Sequence, residues 1–267
     1  MKSTPLKSTQ GWITFRTDAW WVEPLLTLII LGSFGMYATW AALQGVNYQW
    51  GPYLSPFYSP NLVEWFPQWF GSWPFSPAVL ILPFPLVFRA TCYYYRKAYY
   101  RSFFTSPPAC AVDITGQAPK SPLALLLGQG KGYTGETAFP LILQNAHRYA
   151  FYFAALFIFI LGYDAIKAYV WTDGFHVGVG SLVLTINVAL LGLYTFSCHS
   201  WRHLLGGCID CFSCDKMTQV RHKAWERQSL LNEKHMQFAW ASLLWVAFSD
   251  IYVRLVSSGV WTDYRLF

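Results

Sequence analysis

The stretch from Phe196 to Cys214, FSCHSWRHLLGGCIDCFSC, holds half of the cysteines and histidines in this sequence, the side chains best suited to metal or redox chemistry. His199 and His203 are four residues apart, so on a helix they share one face, whereas Cys198 points about 100° away from His199. Thiolates and imidazoles gathered where an apolar segment ends favour a metal or iron–sulfur site. The same residue types also suit ordinary packing, because buried Cys behaves as a small apolar side chain and His caps helix ends.

Three more cysteines follow this helix, which Gly206 and Gly207 are expected to end. Cys208, Cys211 and Cys214 stand at intervals of three residues. A cluster held by four cysteines would need a fourth thiolate, and none is evident nearby. The sequence therefore does not assign a role to these three cysteines.

The composition indicates which kind of protein must position these residues. Of 267 residues, 54% are hydrophobic, 19% are aromatic and only 12% are charged, against roughly 25% charged residues in soluble domains. A soluble core of this size could not bury so much apolar surface, and the many Trp and Tyr are typical of aromatic belts at membrane interfaces. The sequence predicts an all-α integral membrane protein, and no nucleic acid partner is expected.

Five apolar segments are long enough to be membrane-spanning helices, and together they predict a single membrane domain built as a five-helix bundle. They lie at about residues 24–43, 78–95, 147–170, 177–203 and 235–255. Pro83 and Pro85 are expected to kink the second span or delay its start. The long polar leader and Glu23 at the start of the first span disfavour a cleaved signal peptide.

The connections between the spans differ in charge, and this difference predicts their side of the membrane. Sixteen of the nineteen Lys and Arg lie in the N-terminal segment or in two connections with their adjoining helix ends, at about 105–146 and 206–234. The aromatic, proline-rich connection 46–77 has no Lys or Arg and predicts an outer interfacial cap with a short helix at 61–66. By the positive-inside rule, the N-terminus and both basic connections are cytoplasmic and the C-terminus lies outside.

This topology brings the candidate ligands to one depth, near the cytoplasmic ends of four spans. They are Cys92, Cys110, His147, Cys198, His199, His203 and His235. A random scatter would leave several of them on the outer side, where only His176 lies. Their convergence favours a metal or redox centre, and the reducing cytoplasm argues against disulfides.

Four segments of the sequence resemble one family of membrane proteins. They are CYYYRKAYYRSFFTSPPACAV, NAHRY, SCHSWRHLLGG and LNEKHMQFAWASLLWV. They are similar to the single-chain, five-helix membrane anchor of bacterial succinate dehydrogenase, or complex II, in the class typified by actinobacterial enzymes. The resemblance covers most of the chain from Trp20 to Arg265. It implies a multi-pass subunit of the inner (plasma) membrane with no flavin or dicarboxylate site of its own.

The resemblance also implies partners and cofactors. A flavoprotein with FAD and an iron–sulfur protein would dock on the basic cytoplasmic face, and membrane lipid would surround the spans. Electrons would pass through a Rieske-type [2Fe-2S] cluster to a membrane quinone. Succinate oxidation is the favoured direction, with fumarate reduction as its reverse. Haem b held by two histidines, for instance His147 with His203 or His235, is the main alternative cofactor.

A Rieske-type cluster takes two Cys on one iron and two His on the other. The usual spacing, Cys-x-His with Cys-x-x-His, is absent, so the ligands would come from separate helices. The candidates are Cys92, Cys110, Cys198, His147, His199 and His203. A quinone needs an apolar slot with donors for its carbonyl oxygens. The residues at a suitable depth, each of which also suits an ordinary interfacial position, are Tyr93, Arg96, Trp201 and His235.

Charged residues near the outer ends of the third and fifth spans leave a different class of function open. Asp164 with Lys167, and Asp250 with Arg254, could mark the pathway of a transporter. The basic residues at the end of the second span are expected to anchor the chain to lipid headgroups; they are Arg89, Arg96, Lys97 and Arg101.

Overall fold

The structure is a computed structural model, and it describes residues 19, 21–71, 75–96, 98, 146–206 and 211–267. The chain divides into two units, one formed by Met1–Ser33 with Thr91–Ala146 and the other by Phe34–Ala90 with His147–Phe267. The second unit contains nearly all of the buried side chains in the described residues.

Four helices in the described residues are long and apolar enough to cross a membrane. They are α1 (Val22–Gln44), α6 (His147–Lys167), α7 (Val179–Phe196) and α10 (His235–Ser257). At about 1.5 Å per residue, helices of this length reach roughly across the 30 Å core of a bilayer. The expected all-α membrane architecture is confirmed at this level.

The aromatic connection (residues 46–77) is folded. Its elements are β1 (Gln49–Trp50), β2 (Tyr53–Leu54), a 3-10 helix (Pro56–Tyr58), α2 (Leu62–Trp65) and α3 (Pro67–Phe70). The two strands form an antiparallel hairpin, and Gly51 in its turn has φ +53°, a conformation that favours glycine. Asn61 caps α2 by accepting the backbone N–H of Glu64. The short helix that the sequence predicts at 61–66 is present.

The second apolar segment is interrupted. It contains α4 (Ala78–Ile81) and α5 (Pro83–Thr91), and residues 93–96 form a further helical turn. The break falls at Leu82 because Pro83 has no N–H and suits the first position of a helix. The expected kink therefore lies directly before Pro83.

The fourth apolar segment is also divided. The sequence predicts one span over 177–203, whereas α7 ends at Phe196 and a separate helix, α8 (His199–Gly206), follows. A basic helix, α9 (Lys216–Glu233), begins after the capping residue Asp215 and packs against α8. Ser197 and Cys198 connect α7 to α8 and form the junction at which the candidate site lies.

The end of the second unit that contains the start of α7 is closed by a second hairpin and the C-terminal residues. The hairpin pairs β3 (Val170–Trp171) with β4 (Gly174–Phe175). The carboxylate of Asp263 accepts hydrogen bonds from the hydroxyls of Tyr53 (2.8 Å) and Tyr252 (2.6 Å) and from the backbone N–H of Gly180 (2.9 Å). One carboxylate thus joins β2, α7 and α10 and lies near the positive end of the α7 dipole.

Candidate metal centre

The junction between α7 and α8 is held by side chains of α9. The amide of Asn232 donates to the carbonyl of Ser197 (2.8 Å), and the amide of Gln228 donates to the carbonyl of Cys198 (3.3 Å). A carbonyl past the end of a helix needs a partner when it is buried, and Asn232 supplies one for Ser197. The carbonyl of Cys198 also accepts the backbone N–H of Arg202 at the start of α8 (3.1 Å), so the Gln228 amide is its second partner.

The same junction brings Cys198 against His147. The Sγ atom of Cys198 lies 3.0 Å from Nε2 of His147, the first residue of α6, and 3.3 Å from the backbone N–H of Ser200, which donates to it. Cys198 is 1% exposed. The His147 ring also stacks on Phe88, with ring centroids 4.6 Å apart. A thiol and an imidazole, fifty-one residues apart in sequence, therefore meet in a partly buried position.

His235 lies on the other side of the same junction. Its Nδ1 is 2.7 Å from the hydroxyl of Ser197, and its ring stacks on Tyr194 with centroids 5.1 Å apart. It is 3% exposed. His235, a quinone candidate in the sequence, thus contacts the residue that directly precedes Cys198.

The other histidine candidates lie on α8. His199 and His203 are exposed and share a face of this helix, as the sequence predicts. Trp201, a quinone candidate, is packed against Phe151, with stacked rings 5.8 Å apart, and against Phe196. These contacts give Trp201 a structural role in joining α8 to α6 and α7.

Three of the described candidates belong to the first unit. Cys92 is 2% exposed, whereas Tyr93 is exposed, and the Arg96 guanidinium lies 5.2 Å from the centre of the Tyr93 ring. Cys110, the remaining ligand candidate, lies outside the described residues.

The donor chemistry at Cys198 and His147 fits part of a mixed Cys and His ligand set. Sulfur and imidazole nitrogen are the ligands that Rieske-type clusters and many zinc sites use. Within the described residues, no three His, Cys, Asp or Glu side chains come together in a group that could hold a metal ion. The structure thus assembles one thiol and one imidazole of the expected set.

Cys211 and Cys214 do not join this pair. They are bonded to each other as a disulfide, with Cα atoms 5.7 Å apart, in the turn that precedes α9. The expectation that this region has no disulfide is therefore wrong for these two residues, because the turn places residues three apart within bonding distance. Cys208 lies outside the described residues.

The charged residues that suggested a transporter as an alternative function form contacts within the fold. The buried Asp250 accepts hydrogen bonds from Tyr37 and Ser55 and pairs with Arg254, whose Nε lies 2.8 Å from the carboxylate. Arg254 also donates to the carbonyls of Ala41 and Val46. These bonds fasten the end of α1 and the aromatic connection to α10, so the pair stabilises the fold.

The second acidic residue makes the same kind of contact. Asp164 on α6 accepts the hydroxyl of Ser59, and Lys167 forms an exposed ion pair with Glu64 at 3.2 Å. Both partners belong to the aromatic connection. The four charged residues thus attach the aromatic connection to α6 and α10.

Sequence reasoning missed the residues that position the junction. Gln228 and Asn232 lie in a strongly polar helix that gives no apolar pattern, and Ser197 resembles any serine at a helix end. The only signal is their spacing, since two neutral amides four residues apart share one face of an otherwise charged helix.

Comparisons with known proteins agree on one family. The model described as actinobacterial succinate dehydrogenase subunit SdhC matches residues 22–259. A chain of the Mycobacterium smegmatis Sdh1 complex in the apo form is 43% identical, with a TM-score of 0.79 over 99% of this chain and 98% of that chain. No curated protein matches the chain. Since the match covers most of the chain and several of its helices are apolar enough to cross a membrane, the chain belongs to the actinobacterial SdhC family and is a multi-pass inner-membrane subunit of succinate dehydrogenase.

Proposed function

We propose that this subunit takes electrons from an iron–sulfur partner and delivers them to a membrane quinone through a Rieske-type [2Fe-2S] cluster. The observation that carries the proposal is the partly buried contact between Cys198 Sγ and His147 Nε2. In an apolar interior, a thiol and an imidazole brought this close are costly unless they are paired or coordinated. The family membership supplies the setting, because the enzyme removes electrons from succinate and must pass them on.

His147 and Cys198 are the first two ligands in this proposal. The second thiolate and the second imidazole are to be sought among the other candidates from the sequence, which are Cys92, Cys110, His199 and His203. When bound, such a cluster supplies one-electron transfer at a potential above that of clusters held by four cysteines. The backbone N–H of Ser200 would stabilise negative charge on the Cys198 sulfur.

The protein is proposed to cross the membrane five times, with a cytoplasmic N-terminus and an outer C-terminus. Four of the spans would be α1, α6, α7 and α10, and the broken pair α4 and α5 would contribute to the fifth. The positive-inside rule, applied to the basic connections, supports this orientation. His147, Cys198 and His235 would then lie at the cytoplasmic end, on the side of the soluble partners.

The soluble partners are proposed to be a flavoprotein and an iron–sulfur protein. The similar Mycobacterium smegmatis chain comes from a structure of the Sdh1 complex, and this chain is expected to assemble in the same way. Recovery of the chain from its native membrane without a flavoprotein would contradict this proposal.

The quinone is proposed to bind near the same end, among Tyr93, Arg96, Trp201 and His235. Trp201 and His235 are engaged in packing and hydrogen bonding, whereas the Tyr93 side chain is exposed. This exposure makes Tyr93 accessible to a quinone carbonyl. We expect an Arg96→Ala, His235→Ala double variant to lose quinone reduction, and undiminished quinone reduction would show the assignment to be wrong.

The cluster is tested by electron paramagnetic resonance of the purified complex with His147→Ala or Cys198→Ser. Each variant is expected to lose one [2Fe-2S] signal and quinone reduction, while succinate oxidation with an artificial acceptor is retained. The matched control is the Cys211→Ser, Cys214→Ser double variant, which removes two cysteines outside the proposed ligand set and should keep the signal.

Two outcomes of this experiment would contradict the proposal. A signal that survives both His147→Ala and Cys198→Ser would exclude these residues as ligands. A reduced α-band typical of haem b in the optical spectrum, lost in His147→Ala, would favour the haem alternative. The contact of His147 Nε2 with the Cys198 thiol supports the cluster.

A further inference from the structure

The disulfide between Cys211 and Cys214 lies in the turn before α9 and takes no part in the candidate centre. With Phe212 and Ser213 between them, the two residues form a Cys-x-x-Cys sequence. Cys214 is exposed and Cys211 is partly exposed, so molecules in solution can reach the bond. Exposed disulfides are reduced more readily than buried ones and are commonly the catalytic or regulatory ones.

The proposed membrane orientation places this exposed bond in a reducing compartment. The turn and α9 belong to the basic connection 206–234, which the positive-inside rule assigns to the cytoplasm. In mesophilic cells, cytosolic disulfides are rare and are usually transient bonds with catalytic or redox-sensing roles. An exposed disulfide on this side of the membrane is therefore expected to open and close rather than to hold the fold together.

The two sulfurs of the bond differ in their surroundings. Cys214 is the more exposed residue. The Sγ of Cys211 lies 3.9 Å from the Oγ of Ser213, at which distance the hydroxyl can donate a weak hydrogen bond to it. An attacking thiolate reaches the accessible sulfur first, and the other sulfur leaves more readily when its negative charge is stabilised. This geometry makes Cys214 the attacked sulfur and Cys211 the leaving thiolate.

We infer that Cys211 and Cys214 form a redox-active site that exchanges two electrons with a cytoplasmic dithiol protein of the thioredoxin class, an inference that rests on the membrane orientation in the proposed function. One thiolate of the dithiol attacks the Cys214 sulfur, the bond to Cys211 breaks, and the Cys211 thiolate takes up a proton. The second thiol of the dithiol then loses its proton and displaces Cys214, which is protonated in turn. The site has gained two electrons and two protons, and the dithiol has become a disulfide. The same steps in reverse form the bond again.

The turn that holds the disulfide is packed onto α9 and, through α9, onto α8. Phe212 lies between the two cysteines, and its ring is 4.6 Å from that of His222. His222 stacks on Trp225, whose ring lies 4.6 Å from the Arg202 guanidinium of α8. Opening the bond is expected to loosen the first turn of α9, whereas the last turn of α9, which is held at the junction of α7 and α8, should keep its structure.

The test uses the purified whole complex with reduced thioredoxin as the probe and no denaturant. We expect one thioredoxin to be oxidised for each copy of this chain, and the thiols of Cys211 and Cys214 to become available to a maleimide together in mass spectra of acid-quenched samples. The Cys211→Ser, Cys214→Ser double variant is the control and should oxidise no thioredoxin. A pair that is reduced only after the complex is denatured, or a disulfide that mapping assigns to Cys208, would overturn the inference.

Three further variants test the roles of the two sulfurs. A thioredoxin whose second active-site cysteine is replaced by serine cannot complete the exchange, so it should be captured as a mixed disulfide on Cys214. Ser213→Ala should slow the reduction because the Cys211 thiolate loses its donor, whereas Ser213→Thr should keep the rate. Capture on Cys211, with equal rates in the two Ser213 variants, would overturn the assignment of the sulfurs.

Hydrogen exchange measures the effect of the bond on α9. Reduction should speed the exchange of backbone N–H groups in residues 216–219 and leave that of residues 228–232 unchanged. The thioredoxin reaction of the purified complex does not depend on the cluster or on the membrane orientation. Absence of a cluster signal, or an outer position of α9 in cell labelling, would overturn the proposed function. Failure of thioredoxin to reduce the pair would overturn this inference alone, so the two failures are distinguishable.

Discussion

At the scale of single residues, Cys198 shows how a helix end can create a site. The carbonyls of Ser197 and Cys198 are bonded to side-chain amides of α9, and the turn that results leaves the Cys198 sulfur facing His147 and the N–H of Ser200. The amides of Gln228 and Asn232 therefore fix the position of the sulfur although they do not touch it. Residues of this kind often matter to a metal site as much as its ligands do.

Gln228→Leu is expected to disturb the junction, since it removes one of the two hydrogen bonds to the buried carbonyl of Cys198 and leaves the bond from the Arg202 N–H. The cost should be about 0.5–1.5 kcal/mol in the stability of the complex, accompanied by a changed line shape of the cluster signal. Thermal unfolding and electron paramagnetic resonance measure the two effects.

Gln219→Leu on the same helix is the control, because the Gln219 side chain is exposed and its amide makes a long contact at 3.4 Å with the carbonyl of Ser213. Gln219→Leu should leave the stability of the complex and the line shape of the cluster signal unchanged. If Gln228→Leu behaved like this control, α9 would not position the sulfur.

At the scale of elements, the aromatic connection is the segment whose position the sequence could not predict. It is rich in proline and lacks a long helix, yet Tyr53, Tyr58 and Phe57 are almost fully buried. Tyr58 stacks on Tyr48 with centroids 4.2 Å apart, and its hydroxyl donates to the carbonyl of Ala41. These contacts, together with Asp164 and Asp250, turn a connecting loop into a packed part of the second unit.

Asp250→Leu is expected to destabilise the protein by about 3–5 kcal/mol, because it leaves the buried Arg254 without its carboxylate. An Asp250→Leu, Arg254→Met double variant should lose less stability than Asp250→Leu alone, because no buried charge is then left unpaired. Thermal unfolding of the detergent-solubilised complex gives the comparison.

Lys167→Met serves as the control for this pair, since it breaks the exposed ion pair with Glu64 and should cost at most about 1 kcal/mol. Equal effects of Asp250→Leu and Lys167→Met would contradict a structural role for the buried pair.

At the scale of the whole molecule, the proposed orientation places α8 and α9 in the cytoplasm and the C-terminal end of α10 on the outer side. Ser258, just after α10, is exposed. A membrane-impermeant maleimide should therefore label a Ser258→Cys variant in intact cells. The unchanged chain is the control, because its own cysteines are proposed to lie on the cytoplasmic side or in the interior. If the unchanged chain were labelled in intact cells and the Ser258→Cys variant were labelled no more strongly, the membrane orientation would be the opposite of the proposed one.

The sequence by itself determined the membrane class and the position of the long helices, because apolar length and composition are local properties. The family came from the resemblance of four segments to known members. It also identified Cys198 and His147 as candidates. Only the tertiary structure decided that these two meet, that Arg89 turns inward and donates to α10, and that Asp250 and Arg254 bind the aromatic connection. Such contacts join residues far apart in the chain. They depend on how each helix is rotated against its neighbours and on where a helix breaks, and hydrophobic patterning does not encode either with enough precision.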